Sequence, residues 1–137
     1  MDALEISRTG LDVEWQRLQV IAQNLANMNT TRDAAGGVYR PQRLLSGPQA
    51  EFSAIVRGAP KGVAVQGVSV AGTAGRRVHE PDHPHADAEG YVTYPEIDHA
   101  GEMTLMIKTS RAYEANLTAF SIAQQMYARA LELGNKA

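Results

Sequence analysis

Hydrophobic positions recur with helical spacing at both ends of the chain and with strand spacing between them. Leu4, Leu11, Leu18 and Leu25 repeat every seven residues, and Ile6, Val13 and Val20 repeat at the same interval on another face. At about 100° per residue, the two-residue offset sets the second row roughly 200° around the cylinder. The far end repeats the design. Met103, Met106, Ser110, Tyr113, Leu117, Phe120, Gln124, Tyr127 and Leu131 form a 3-4 row, and Leu105, Ala112, Ala119, Met126 and Leu133 run along nearly the opposite side. These patterns predict helices near residues 3–28 and 102–133, about 39 Å and 48 Å long at 1.5 Å per residue.

A helix that is apolar on one face needs one partner, and a helix that is apolar on two faces needs several. The expected fold is mainly α. Its long N- and C-terminal helices pair as an antiparallel coiled coil, with a small β-hairpin and extended loops between them. Residues 1–31 and 100–137 form the helical core, and residues 32–99 form the connector. The predicted intrachain rows are Leu4, Leu11, Leu18 and Leu25 against Met103, Met106, Tyr113, Leu117, Phe120, Tyr127 and Leu131. Ile6, Val13, Val20, Leu105, Ala112, Ala119, Met126 and Leu133 remain for neighbouring subunits. That arrangement describes an assembly subunit.

Between the helices, the pattern changes period. Gly62-Val63-Ala64-Val65-Gln66-Gly67-Val68-Ser69-Val70 alternates and shifts phase at Gly67, as a bulge requires. Residues 72–75 are expected to turn this strand back onto Arg76-Arg77-Val78-His79. A second extended piece, Gly90-Tyr91-Val92-Thr93-Tyr94-Pro95, leads into the C-terminal helix. The run Asn24-Leu25-Ala26-Asn27-Met28-Asn29-Thr30-Thr31 reads as a helix stop, since asparagine bonds readily to nearby backbone. Capping is the simpler role for its three asparagines. Hydrogen bonding to a neighbouring subunit is the alternative.

Composition narrows the function classes. The chain has 137 residues, 44% hydrophobic but only 6% aromatic, so a large single core is not expected. Net charge is −2, and Arg76-Arg77 is the one adjacent basic pair, which gives no electrostatic footprint for nucleic acid or an anionic membrane. There is no cysteine, which removes disulfides and thiolate chemistry. No apolar run approaches the ~18 residues of a membrane span, so no membrane insertion is expected. The opening Met1-Asp2-Ala3-Leu4-Glu5 does not resemble a cleavable signal.

Candidate chemistry concentrates in His79-Glu80-Pro81-Asp82-His83-Pro84-His85-Ala86-Asp87. In an extended chain His83, His85 and Asp87 point to one side, as three ligands for a divalent metal would. Pro81 and Pro84 instead favour a stiff loop docked on neighbouring backbone, which is the preferred reading. Gly67-Val68-Ser69-Val70-Ala71 lacks the closing glycine of a nucleophile elbow, and Gly58-Ala59-Pro60-Lys61-Gly62 lacks the end of a phosphate-cradling loop. No catalytic, cofactor or metal residue is assigned.

Four segments resemble the axial rod and hook proteins of the bacterial flagellum. They are Ser7-Arg8-Thr9-Gly10-Leu11; the run from Ile21 through Asn24, Asn27, Asn29 and Thr30 to Thr31; the run from His79 through His83, Pro84, Asp87, Gly90 and Tyr91 to Val92; and Glu102 through Arg111, Tyr113 and Asn116. The resemblance covers most of the chain, with residues 44–77 matching least. It implies a non-enzymatic building block of the proximal rod, which crosses the periplasm, and export through the flagellar type III apparatus without a cleaved signal. It also implies partners: the chain itself, the rod proteins FlgB, FlgF and FlgG, FliE, the MS ring and the export apparatus. The rival readings are a histidine-loop divalent-metal-binding protein and a cytoplasmic coiled-coil adaptor.

Overall fold

The computed structural model describes residues 3–49 and 62–134. Elements follow in the order α1 (Ala3–Ala26), β1 (Gln42–Pro48), β2 (Val63–Val70), β3 (Arg76–His79), β4 (Tyr91–Tyr94) and α2 (His99–Gly134). The two helices pack antiparallel. Asn24, near the end of α1, bonds to Glu102, near the start of α2, while Gly10 lies against Asn116. Trp15 stacks at a tilt on Tyr113, with 6.4 Å between ring centroids.

Local chemistry sets the helix ends. Asn27 closes α1 by bonding its side-chain amide to the Gln23 carbonyl at 2.8 Å, and Thr30 donates its hydroxyl to Asn27 Oδ1. At the other end, the Glu102 amide bonds to the Asp98 carbonyl at 2.9 Å, and the Asp98 carboxylate lies over Gly101. A Cβ at Gly101 would stand 2.6 Å from Asp98 Oδ2, so glycine there lets a carboxylate sit over the positive end of the helix. The helix consequently begins at His99, three residues before the start that periodicity suggests.

The strands form two separate antiparallel pairs, β1 with β2 and β3 with β4. The hairpin expected between residues 62–70 and 76–79 does not form. β2 pairs backwards with residues expected to form only an extended connector, and β3 pairs forwards with β4. Alternation identifies a strand but not its partner, because any strand with a compatible face satisfies the same pattern. The phase change at Gly67 is a bulge: Leu45 faces Gly67 and Ser46 faces Val65, leaving Gln66 as the extra residue. Residues 58–61, part of the rejected phosphate-loop comparison, lie outside the described residues.

The β1–β2 pair covers one face of α1. The Val63 amide donates to Thr9 Oγ1 at 3.1 Å, Arg17 donates to Ser46 Oγ at 2.7 Å, and Asn24 bonds to both the amide and the carbonyl of Gln42. Thr9, Val13, Arg17, Val20 and Asn24 succeed one another at intervals of three and four, so they share this face. Val13, Val20 and Ile21 are accordingly the buried apolar residues of α1, with Val13 only 3% exposed. The β3–β4 pair has its own small centre in Val92, which is 1% exposed and pairs with Val78.

Candidate assembly surface

The apolar side chains on α2 are mostly open. Met103, Ile107, Leu117, Ile122, Met126, Tyr127, Leu131 and Leu133 are all exposed, the last at 72%. Among the described residues of α2, only Glu102 and Thr109 are fully buried. Two causes separate along the helix. Met103, Ile107, Leu117, Ile122 and Leu133 stand off the row of Glu102, Thr109, Tyr113 and Asn116 that meets α1, and Met126 only borders the start of α1. Tyr127 and Leu131 continue the row of Met106, Tyr113 and Phe120 that α1 half-buries, but Tyr127 meets only the first described turn of α1 and Leu131 lies past it. Leu4 shares a shallow depression with Ala123, Met126, Tyr127 and Ala130, which places the start of α1 at that level. From that level α2 runs on to Gly134, an overhang of about 10 Å past the described start of α1.

This placement redraws the division of the apolar rows. Leu4, Leu11, Leu18 and Leu25 are half-buried, as are Met106, Tyr113 and Phe120, but Met103, Leu117, Tyr127 and Leu131 are exposed. Of the residues reserved for neighbours, Val13 and Val20 are buried inside the chain and Ile6 is half-buried. Leu105 and Ala112 are half-buried beside Val20, Ile21 and Leu44 in a groove of about 290 Å³. Ala119, Met126 and Leu133 are open. The second row of α1 is therefore covered by the β1–β2 pair, which strand patterning alone had not paired. The second row of α2 stays free over its C-terminal half.

A polar cluster that the sequence reading missed lies where α1, β1 and the start of α2 meet. Asn24 is 0% exposed and uses its whole amide. Nδ2 donates to the Gln42 carbonyl at 2.9 Å and to Glu102 Oε2 at 3.2 Å. Oδ1 accepts from the Gln42 amide and the Tyr39 hydroxyl, each at 2.9 Å. Glu102, 2% exposed, receives the Arg43 guanidinium on its other oxygen. Burial, and then the Glu102 carboxylate, push the Tyr39 hydroxyl above its ordinary value, with Arg43 acting the other way. The sequence held one signal for Glu102: it stands four residues before Met106, in the 3-4 row that continues through Thr109, Tyr113, Asn116 and Phe120.

The remaining resemblance residues divide by contact. Gly10 and Asn116 meet so closely that a Cβ at Gly10 would lie 2.9 Å from Asn116 Oδ1. Asn29 and Arg111 are exposed. The histidine loop connects β3 to β4, and its three candidate ligands do not converge. His83 Nδ1 accepts from the His85 amide at 3.0 Å, and His85 Nδ1 pairs with the Thr31 hydroxyl at 2.7 Å. Asp87 Oδ1 accepts the amides of Tyr91 and Glu89, and Oδ2 pairs with Arg77. These backbone bonds, Tyr91 first, hold the Asp87 carboxyl below its ordinary value, with Arg77 adding to the effect. Among the described residues no group of three histidine, aspartate or glutamate side chains is placed to hold a metal. At Gly90, which has φ of +81°, the loop turns back into β4. Arg77 lies 4.6 Å over the Tyr91 ring, and Tyr94 donates to Glu80. Among the described residues no helix is long and apolar enough to cross a membrane.

Comparison with known proteins agrees with this architecture at both ends. Residues 4–32 match the family described as flagella basal body rod protein, and residues 88–133 match the flagellar basal body rod FlgEFG protein C-terminal family. The chain is 34% identical to the flagellar basal-body rod protein FlgC of Bacillus subtilis, across 96% of each chain. It is 33% identical to FlgC of Escherichia coli O6:H1, across 98% of this chain and 97% of that one. FlgC of Aquifex aeolicus is 32% identical, across 96% and 94%. With near-complete coverage, two matched ends and a helix pair carrying an uncovered apolar face, the chain belongs to the FlgC family of flagellar basal-body rod proteins and is a structural subunit of the rod.

Proposed function

We propose that the chain works as a two-part building block. Residues 1–31 and 100–137 form the helical part, in which α1 and α2 wind as an antiparallel coiled coil. Residues 32–99 form a connector that braces α1 from one side. The uncovered side of α2 and its overhang are the surfaces that neighbouring rod subunits cover. The observation that carries this reading is the exposure of Met126, Tyr127, Leu131 and Leu133 within two turns of one helix. Large apolar side chains crowded this closely mark an interaction site. Burying each contributes about 1.5–3 kcal/mol. This gain appears only when a second chain arrives.

Copies of the chain and the rod proteins FlgB, FlgF and FlgG are the neighbours this reading names, with FliE and the MS ring at the base. It places the subunit in the periplasmic part of the shaft, delivered by the flagellar export apparatus without removal of an N-terminal signal. The test substitutes Met126→Asp together with Leu133→Asp, and measures motility, secreted subunit and subunit retained in purified basal bodies. Normal secretion with loss of the subunit from basal bodies supports the reading. Normal swimming would refute it. The mass of the secreted chain checks the export route, since a shortened N-terminus would contradict it.

A further inference from the structure

A helix pair built on a seven-residue repeat has a register problem. Leu4, Leu11, Leu18 and Leu25 on one helix and Met106, Tyr113, Phe120 and Tyr127 on the other both recur every seven residues. Sliding α1 by one repeat, about 10 Å along α2, again sets apolar residues beside apolar residues. The apolar rows therefore discriminate weakly between registers.

The polar cluster does not repeat. Asn24 and Glu102 face each other at one level only, and both are fully buried there. Four bonds use both donors and both acceptor positions of Asn24, and Glu102 is held on one oxygen by Asn24 and on the other by Arg43. Among the described residues no buried side-chain nitrogen or oxygen lacks a partner. A slip of one repeat in either direction separates Asn24 from Glu102, and a buried carboxylate or amide stripped of its partners is costly. The network contributes little net stability for the same reason, because desolvation offsets most of the attraction.

We propose that the Asn24–Glu102–Arg43 network selects the register of α1 against α2, and with it the level at which β1 is anchored. The inference rests on the coiled-coil reading above and deepens it. Asn24 and Glu102 are positioning residues: they set where the overhang of α2 begins, and so which apolar side chains a neighbouring subunit meets.

The chain has no cysteine, so two introduced cysteines carry spin labels without background. Gln19 on α1 and Ser121 on α2 are both exposed and lie well apart along the pair, so a slip changes their separation strongly. In the parent, a single narrow label-to-label distance is expected. In Asn24→Leu combined with Glu102→Leu, helix content is expected to persist while the distribution splits into populations differing by up to about 10 Å. Arg43→Lys, which still offers a cation to Glu102 and leaves both Asn24 donors and acceptors in place, should retain the single parental distance. A leucine pair that keeps the parental distance overturns the register role and leaves the coiled coil intact. A leucine pair that loses its helices also overturns it, since that outcome marks the cluster as plain structural support. A broad distance in the parent overturns both the register role and the coiled-coil reading.

Discussion

At the scale of single residues, small and polar side chains decide where the elements of this fold meet. Gly10 is the clearest case. Glycine inside a helix costs roughly 0.5–1 kcal/mol relative to alanine, yet here it lets Asn116 approach the α1 backbone. Gly10→Leu should lower stability by about 1–3 kcal/mol through overpacking, and Asn116→Ala should recover much of that loss. Urea midpoints at constant slope are the measurement. Equal losses in the single and double variants would mean that the two residues do not compete for the same space.

Tyr39 and Asp87 supply opposite pH dependences. The folded-state pKa of Tyr39 is raised above the ordinary 10.0. Its contribution is thus fully present below that value and is lost as pH rises through the folded one. Above pH 10.0 the parent should lose urea resistance more steeply than Tyr39→Phe. Asp87 is depressed below its ordinary 3.8, so its contribution is present above that value and lost as pH falls through the folded one. The Tyr91 amide resonance should report this titration, with a midpoint below 3.8 in the parent and no transition in Asp87→Asn. A parental midpoint above 3.8 would contradict the amide-held carboxylate.

At the scale of elements, α1 and α2 differ in who covers their second apolar row. On α1 the β1–β2 pair lies over Val13 and Val20. On α2, Met126 and Leu133 stay 67% and 72% exposed. A charge placed on the two rows should separate these environments. Val13→Asp buries an unpaired carboxylate and should cost about 3–5 kcal/mol in the isolated chain. Met126→Asp should change the isolated chain by no more than about 0.5 kcal/mol. Thermal unfolding of both purified variants is the check. Similar losses in the two would erase the distinction between a face covered in the chain and a face left free.

The histidine loop shows the same economy. The extended course that its prolines suggest does not occur: the loop is three successive turns, closed by the amides of His83, Ala86 and Gly90 on the carbonyls of Glu80, His83 and Asp87. Pro81 and Pro84 take the second position of the first two turns, where a fixed φ suits them, and Asp87 and Gly90 organise the return into β4. Both His83 and His85 make their contacts through Nδ1. Asparagine places an acceptor near Nδ1, so His83→Asn with His85→Asn should preserve motility better than Gly90→Val, which forces a branched side chain to a positive φ. If the asparagine pair abolishes motility and Gly90→Val does not, the loop acts through its imidazoles and not through its shape.

At the scale of the molecule, the exposed apolar length of α2 is the feature that turns a folded chain into a subunit. The last turns of α2, from the level where α1 begins, form a ledge of Tyr127 and Leu131 beside Met126 and Leu133, more than half exposed in each case. Leu131→Ser combined with Leu133→Ser should leave the melting temperature of the isolated chain close to the parent. The same variant should be secreted but missing from purified basal bodies. If the variant enters basal bodies at the parental level, the ledge is not an assembly surface.

Much of this was legible in the chain itself. Seven-residue spacing determined both long helices, because helical periodicity is local and survives whatever packs against it. Gly67 announced the bulge, and Asn27 with Thr30 announced the end of α1, because caps and bulges are built from neighbours in sequence. The Gly10, Asn24, His83–Asp87 and Asn116 motifs pointed to the rod proteins for the same reason: a motif records side chains, not the contacts they make. Tertiary structure alone decided the partners. It paired β2 with β1 and β3 with β4, because backbone ladders form between any strands that the chain can bring together. It thereby covered Val13 and Val20 within the chain while leaving Met126 and Leu133 open, a distinction invisible in an apolar repeat that scores both rows alike. It also placed Asn24, Tyr39, Arg43 and Glu102 around one point from three separate elements, since a buried polar group reveals itself only when its distant partners arrive.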